Sequence, residues 1–395
     1  MRVETRSFKT TLDLRLVPVT FLVTTIVLLL AVLSVSYSVE AKKISVNDPL
    51  WYFTEWNWHV DPAGSFAEAV NPGSYFKLTV KDVTNISLLL DFSNIAYPKQ
   101  NLVSVFWSID GRTSNNATLP TAGSPLKLYS NAQPGTHTVF FWFNSRNSWN
   151  SWTPWEFVRI TGLQVNDAAS LIATTLRPNR LLHYGDSISE GWINVCVPTS
   201  NDARIYCDSA ADSWVTHLSA ALDAELSMVA WAGQGYTKGG NGDSPLLWTA
   251  NGNANNNAWT WIDSKYKRSF TKCPNIVTNN HGTNDMNNKT YISKAVAGWL
   301  NDFQTVCPKT KIVMIPPFGG FVKTEIEAGV KIYTAKAGTT KSALIHVLSL
   351  NSVSKEGISG GGGSIYSPDG IHPNVLKDAQ LGAIVSAAIS SLRLL

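Results

Sequence analysis

Short hydrophobic runs separated by turn residues fill the chain from about residue 42 to residue 173. Segments such as Tyr75–Val80 and Thr136–Trp142 have the length and the β-branched or aromatic content of strands. Asn-Pro-Gly, Asp-Gly and Gln-Pro-Gly sequences separate some of them, and helical periodicity is nearly absent. This pattern predicts an all-β, jelly-roll-like sandwich domain over residues 42–175.

The hydrophobic pattern changes after residue 176, where short apolar runs alternate with amphipathic stretches. The runs predicted to be strands are Leu181–Tyr184, Leu226–Trp231, Asn275–Asn279, Lys311–Ile315 and Ala343–Leu348. The stretches predicted to be helices include Ala210–Leu222, Ile292–Val306 and Val375–Leu392. Alternating strands and helices predict an α/β domain over residues 176–395, in which helices cover both faces of a parallel sheet in three layers. Ligand sites of such sheets lie beyond the carboxyl ends of the strands.

The first 41 residues have the order of a targeting segment. Four basic residues precede an uncharged apolar run from about Leu16 to Val35, and Val39-Glu40-Ala41 offers a small-residue cleavage pattern. We expect a signal peptide over residues 1–41 and a secreted protein. The run approaches the roughly 20 residues of a membrane span, so a signal-anchored protein is the alternative and the one case of membrane attachment. Three sequons are candidate glycosylation sites: Asn85, Asn116 and Asn288.

Composition narrows the possible partners. The 395 residues favour two domains, and 44% hydrophobic with 15% charged residues indicates a globular chain. The formal net charge of +4 is small and scattered, without a run of Lys and Arg, so no nucleic-acid partner is expected. Fifteen tryptophans are mostly expected in the core, although their flat faces also suit sugar rings.

Four cysteines lie in the later part of the chain: Cys196, Cys207, Cys273 and Cys307. An even count in a secreted protein predicts disulfide bonds. Of the three possible pairings, Cys196 with Cys207 and Cys273 with Cys307 is the most local. No cysteine stands at zinc-ligand spacing from a histidine, and the HExxH sequence is absent, so no metal site is expected.

Candidate catalytic groups follow the first and third predicted strands of the α/β region. The first strand ends in Gly185-Asp186-Ser187, which places a serine at the start of a helix. An Asp-Ser pair there is more often a helix N-cap, and no GxSxG sequence surrounds Ser187, which argues against an ordinary α/β-hydrolase. The third strand ends in a segment with Asn284, whose amide can stabilise a developing oxyanion by roughly 3–4 kcal/mol. A simple turn is the alternative there.

Two further segments complete the set. Trp231-Ala-Gly-Gln-Gly follows the second strand, and its glycines could bring a backbone N–H close to a reacting oxygen. Ser-Pro-Asp369-Gly-Ile-His372-Pro lies just before the last predicted helix. Asp369 and His372 can share one side of a tight turn, so that Asp369 accepts from one imidazole nitrogen while the other faces Ser187.

In this order the four segments resemble the blocks of the SGNH (GDSL) hydrolase superfamily, from about residue 181 to the end of the chain. The resemblance implies that Ser187 is the nucleophile, His372 its base and Asp369 the group that orients the base. It also implies an oxyanion hole formed by the N–H groups of Ser187 and Gly233 and by the side chain of Asn284. The glycine block is the loosest match, and Gly235 is the alternative to Gly233. No metal or organic cofactor is implied.

The N-terminal sandwich and the Trp-Ala-Gly-Gln-Gly segment make the chain most similar to carbohydrate esterase family two. That family removes acetyl groups from polysaccharides such as xylan and mannan; some members lack the triad carboxylate, which Asp369 supplies here. An acetylated polysaccharide or oligosaccharide is therefore the expected substrate. Trp192 and Trp231 are candidate substrate-binding residues, with a Trp56/Trp58 cluster in the sandwich. A general short-chain or lipid GDSL esterase and a non-catalytic carbohydrate-binding protein are the alternatives.

Overall fold

Two sheets, one antiparallel and one parallel, organise the part of the chain that the structure describes. The computed structural model describes residues 41–95, 101–147, 151–200, 203–286, 289–348, 350, 367 and 369–395. The mixed α/β class that the sequence predicted is confirmed. The three-layer count, the sandwich and the domain boundary at residues 175 and 176 stay predictions.

Among the described residues, ten strands form the antiparallel sheet. They are β1 Ala41–Ile44, β2 Tyr52–Phe53, β3 Trp58–Val60, β4 Ala67–Ala69, β5 Tyr75–Leu90, β6 Val103–Ile109, β7 Asn115–Leu119, β8 Leu126–Arg146, β9 Val158–Asn166 and β10 Ser170–Ile172. Seven follow the order β3-β4-β9-β5-β8-β6-β7, while β1 pairs with β9 and both β2 and β10 pair with β5. The two long strands, β5 and β8, pair across several bulges, which is why they run further than the hydrophobic runs predicted.

In the later part of the described chain, five parallel strands alternate with helices. The strands are β11 Asn179–Gly185, β12 Ala224–Ala230, β13 Ile276–Asn279, β14 Lys311–Met314 and β15 Ile345–Val347, in the order β12-β11-β13-β14-β15. The α-helices of the described residues are α1 Ser187–Glu190, α2 Trp214–Ala221, α3 Ile292–Val306, α4 Lys323–Ser342 and α5 Val375–Ser391. Helix α4, which breaks at Gly338, was not predicted.

Side chains of the parallel strands point alternately to two hydrophobic clusters. On β11, Leu181 belongs to a cluster with Trp214 of α2 and Val385 of α5. The next residue, Leu182, belongs to a cluster with Trp299 of α3. Successive strand residues point to opposite faces, so β11 is buried on both sides. This burial explains why its sequence is a continuous apolar run.

A buried ion pair joins the antiparallel sheet to the first helix of the α/β part. Arg146, the last residue of β8, lies with its Nη2 3.0 Å from Oε1 of Glu190 in α1, and both side chains are almost fully buried. Arg146 also donates to the carbonyl of Val70, and its guanidinium carbon lies 4.4 Å from the centre of a Trp231 ring. The other oxygen of Glu190 accepts from the N–H of Ala232 at 2.8 Å. One charge pair thus holds both α1 and the loop after β12.

Replacing Glu190 by Gln tests this ion pair. The variant removes the ion-pair partner of the buried Arg146 guanidinium, and we expect a loss of about 3–5 kcal/mol in the free energy of unfolding. The control is Asp82→Asn, which removes the exposed partner of Lys81 and should change stability by less than about 1 kcal/mol. Both values come from urea unfolding. Equal, small effects of the two variants would show that the pair contributes little.

The four cysteines form two disulfide bonds, in the most local of the pairings that the sequence allowed. Cys196 and Cys207 have an S–S distance of 2.00 Å, and Cys273 and Cys307 one of 2.08 Å. The first bond closes a loop that follows α1. The second joins the segment before β13 to the end of α3.

Two of the three sequons lie on strands, and the third is outside the described residues. Asn85 of β5 and Asn116 of β7 are exposed, and Asn288 is the one not described. Glycosylation stays a prediction, as does the targeting role of residues 1–41, of which the first 40 are not described. No helix within the described ranges combines the length and the apolar character that crossing a membrane requires.

Candidate active site

The candidate residues meet beyond the carboxyl ends of neighbouring parallel strands. Ser187 begins α1 directly after β11, and Gly233 follows β12, which pairs with β11. Asn284 lies in a short 3₁₀ helix after β13, the strand on the other side of β11. His372 precedes α5. The carboxyl ends of parallel strands share one edge of a sheet, which brings segments distant in sequence together.

A continuous hydrogen-bonded chain links Ser187, His372 and Asp369. The Oγ of Ser187 lies 2.8 Å from Nε2 of His372, and Nδ1 of His372 lies 2.6 Å from Oδ2 of Asp369. A carboxylate only accepts, so the imidazole proton belongs on Nδ1, and Nε2 is left to accept from the serine hydroxyl. In this arrangement His372 can remove the proton of Ser187 as the hydroxyl attacks a carbonyl carbon.

The turn before α5 keeps Asp369 ionised. Burial on its own would raise the pKa of Asp369, but the hydrogen bond and charge of His372 hold that pKa well below its usual range. The Oδ1 atom also accepts from the N–H groups of Ile371 at 2.9 Å and His372 at 2.8 Å. The same carboxylate therefore shapes the turn and fixes the orientation of the imidazole ring.

Two backbone N–H groups near the serine can bind a developing oxyanion. In the described part of the chain, neither the N–H of Ser187, at the first position of α1, nor that of Gly233 has an acceptor. Gly233 has a φ of +79°, a conformation that favours glycine.

The structure separates Gly233 from its alternative, Gly235. The N–H of Gly235 already donates to the carbonyl of Lys238 at 2.8 Å. A Cβ atom at Gly235 would lie 2.5 Å from the carboxylate of Asp285, which accepts from the N–H groups of Tyr236 and Thr237. Close packing thus explains why residue 235 is a glycine. Gly233 is the glycine whose backbone N–H is available to bind an oxyanion.

The third candidate donor, Asn284, is held in place by a carboxylate that the sequence presented only as a helix cap. Nδ2 of Asn284 donates to the carbonyl of Gln234 at 2.9 Å and, at 3.3 Å, to Oδ2 of Asp186. The other oxygen of Asp186 accepts from the N–H of Ile188 and caps α1. Because both partners of the Asn284 amide are acceptors, its NH₂ end, not its carbonyl, points towards them. The longer bond, to Asp186, is the one that a reacting oxygen would most easily replace.

A double-mutant cycle tests whether Asp186 acts through Asn284. We expect Asn284→Ala to lower kcat for a short-chain ester by about 10²–10³, as loss of an oxyanion donor does. Asp186→Ser keeps a helix-capping oxygen but is too short to reach Asn284, and should lower kcat by a smaller factor. If Asp186 acts through Asn284, the double variant is no slower than Asn284→Ala. Losses that multiply would mean that the two residues act independently.

The buried carboxyl of Asp186 also predicts a pH-dependent effect on stability. Burial raises the pKa of Asp186 to about 7, whereas the unfolded chain releases this proton near about pH 4. The folded protein therefore binds this proton more tightly than the unfolded chain does. The stability that proton binding provides is lost as pH rises from about 4 to about 7. An amide side chain at this position would not titrate. The Tm of Asp186→Asn minus that of the unaltered protein should increase between about pH 5 and pH 8, and a constant difference would contradict the assignment.

Of the two proposed substrate-binding tryptophans, Trp192 lies beside the candidate catalytic residues. Its ring centre is 6.1 Å from that of His372, with the planes 28° apart, and the residue is half-buried. The guanidinium carbon of Arg204 lies 3.2 Å from the centre of a Trp192 ring. Trp192 is therefore placed to border a bound substrate.

Trp231 has a different place. It is completely buried, between the Arg146 guanidinium and the ring of Trp152, and no face is open to a sugar. Trp56 and Trp58 are also buried, with indole N–H groups that donate to the carbonyls of Lys272 and Tyr75. These tryptophans contribute to the core: Trp56 and Trp231 belong to a hydrophobic cluster with residues of the parallel sheet, and Trp58 belongs to the cluster within the antiparallel part. Among the described residues, no three His, Cys, Asp or Glu side chains are grouped as metal ligands.

The fold and the Ser–His–Asp geometry define an α/β protein with a site of the serine-hydrolase type. Neither the models of known protein families nor the curated proteins give a match to the sequence. Solved structures do match, and several of them are family two carbohydrate esterases; a salicylyl-acyltransferase, SsfX3, also matches, with 13% identity and a TM-score of 0.58. The resemblance that the sequence motifs indicated is thus confirmed at the level of the fold.

Three of these structures show the extent of the similarity. The esterase from Cellvibrio japonicus is 16% identical, with a TM-score of 0.70 over 89% of this chain and 98% of its own. The Clostridium thermocellum esterase in complex with cellohexaose is 17% identical, with a TM-score of 0.64 over 87% of this chain and 100% of its own. The acetyl xylan esterase Est2A from Butyrivibrio proteoclasticus is 14% identical, with a TM-score of 0.63 over 90% of this chain and 100% of its own.

Proposed function

We propose that this protein is a secreted serine esterase that removes O-acetyl groups from cell-wall polysaccharides of the xylan or mannan type. The observation that carries the proposal is the hydrogen-bonded chain from Ser187 through His372 to Asp369, at the carboxyl edge of the parallel sheet. The free N–H groups of Ser187 and Gly233 beside it support acyl transfer over simple binding.

The reaction proceeds in two halves. His372 accepts the hydroxyl proton of Ser187 as Oγ attacks the acetyl carbonyl carbon, and the oxyanion is bound by Ser187, Gly233 and Asn284. The protonated imidazole then donates to the departing sugar oxygen, which leaves an acetyl-serine. Water, deprotonated by His372, attacks this ester, and the proton returns to Ser187 as acetate is released. The ionised Asp369 stabilises the imidazolium in both halves.

Two observations support a carbohydrate substrate: the names of the similar solved structures and the position of Trp192. The Butyrivibrio relative is named as an acetyl xylan esterase, and the Clostridium structure contains cellohexaose. In this chain the half-buried ring of Trp192 borders His372, where the sugar that bears the acetyl group would lie. A lipid esterase would instead prefer longer acyl chains, and a general short-chain esterase would not prefer a polysaccharide over a simple acetyl ester. Rates on acetylated xylan, acetylated mannan, simple acetyl esters and longer acyl esters therefore separate these activities.

The serine mechanism predicts the effect of Ser187→Ala on acetate release from acetylated xylan. We expect a loss of at least about 10³-fold in kcat, because the acyl-enzyme cannot form, with little change in binding of the polysaccharide. Ser170→Ala, at an exposed serine of β10, is the matched control and should retain full activity. Unchanged acetate release by Ser187→Ala would overturn the mechanism. Binding without any acetate release by the unaltered protein would favour the non-catalytic carbohydrate-binding alternative.

Replacing Asp369 by Asn tests the third member of the chain. The amide can keep the turn, but it cannot stabilise the imidazolium as an ionised carboxylate does. We expect kcat to fall by about 10²–10⁴ with KM nearly unchanged, measured with a short-chain acetyl ester. A kcat within about twofold of the unaltered enzyme would remove Asp369 from the mechanism.

A further inference from the structure

We propose that the rim beside the Cys196–Cys207 disulfide bond is a binding subsite for a neutral sugar ring of the polysaccharide, next to the sugar that carries the acetyl group. We use "rim" for Val195, Arg204, Ile205 and Tyr206. The inference rests on the proposed function and adds to it a second point of contact along the polysaccharide chain.

The rim is directly connected to the catalytic residues. Trp192 donates its backbone N–H to the carbonyl of Ser187 at 3.1 Å and stacks beside His372. Arg204 of the rim covers the ring of Trp192. The rim therefore contacts the side chain that lies beside the proposed base.

The rim is held in one position. Beside the disulfide bond, the N–H of Val195 donates to the carbonyl of Cys207 at 3.0 Å. Asp208, the next residue, accepts from the N–H of Ile193 at 2.6 Å. A subsite with fixed groups loses less entropy when it binds a ligand than a flexible loop does.

Apolar side chains are unusually exposed at this position. Val195 is 51% exposed, and Tyr206 is 62% exposed, as is the neighbouring Val197. These are three of the twelve large apolar side chains that are exposed among the described residues, and they lie within 12 positions of one another. Clustered exposed apolar groups next to a catalytic site indicate contact with a ligand.

A groove of about 280 Å³ runs between the rim and strands β6 and β7 of the antiparallel sheet. Its lining includes Phe106, Asn116, Thr118, Val195, Tyr206 and Asp212. This combination offers aromatic and apolar surfaces for the face of a sugar ring, and amide, hydroxyl and carboxylate groups for its hydroxyls. The carboxylate of Asp212 disfavours a negatively charged sugar, and the charge of Arg204 is paired with the buried Asp208 at 3.7 Å, so the ligand class is a neutral saccharide.

Kinetics on two substrates test the subsite. The measured quantity is the kcat/KM for an acetylated xylan oligosaccharide of six sugars divided by the kcat/KM for 4-nitrophenyl acetate, which is too small to reach the rim. For Tyr206→Ala we expect this ratio to fall by about fivefold to tenfold, the size of one lost aromatic contact. Ile172→Ala, at an exposed apolar side chain of β10, is the control and should leave the ratio unchanged. A ratio that stays the same for Tyr206→Ala would overturn the proposal.

Binding without turnover gives a second measurement. Xylohexaose and polygalacturonate are titrated calorimetrically into Ser187→Ala, with and without Tyr206→Ala. The subsite predicts that xylohexaose binds more weakly when Tyr206 is replaced and that polygalacturonate binds poorly to both proteins; tighter binding of the acidic polymer would contradict it. The titrations are made on the protein as expressed and again after removal of N-linked glycans, because Asn116 begins a sequon and lines the groove. A subsite that binds xylohexaose only after glycan removal would contradict the proposal. Failure of the proposed function itself would be seen separately, as acetate release that does not depend on Ser187.

Discussion

The buried ion pair between Arg146 and Glu190 is the interaction on which the catalytic geometry depends. Glu190 lies three residues after Ser187 in the same short helix, and it also holds the N–H of Ala232, next to Gly233. Arg146 comes from the antiparallel sheet, so that sheet helps to set the distance between two of the three proposed oxyanion donors. A helix of four residues has little stability of its own, and it needs such an external attachment to keep its first N–H in place.

Near this ion pair, hydrogen bonds to carboxyl groups fix the orientation of two of the proposed catalytic side chains. Asp369 fixes the His372 ring, and Asp186 fixes the amide of Asn284. The two carboxyl groups respond differently to their surroundings. Asp369 is partly exposed and sits beside an imidazole, so it stays ionised, whereas burial raises the pKa of Asp186. Preorganised groups of this kind need little rearrangement when charge develops on the substrate.

Much of the site could be predicted from sequence because its parts are local. The Asp369–His372 turn lies within four residues, and the parallel-sheet rule places the segments after β11, β12 and β13 together. The features of the site that could not be predicted are contacts between residues that are far apart in the sequence. Asp186 and Asn284 are 98 residues apart, so the sequence presented Asp186 as a cap only. Trp231 was expected near substrate because it adjoins the glycine block, but Arg146, from the other sheet, covers it. The tight packing at Gly235 likewise depends on Asp285 from another loop.

Covalent labelling tests most directly whether His372 activates Ser187 as a nucleophile. The protein is treated with a fluorophosphonate, and mass spectrometry locates the phosphonylated residue and follows its rate of formation. We predict that Ser187 alone is labelled and that His372→Ala slows the labelling by about 10²–10⁴, the usual contribution of a general base. Labelling of another serine, or of Ser187 at the same rate in His372→Ala, would contradict the account.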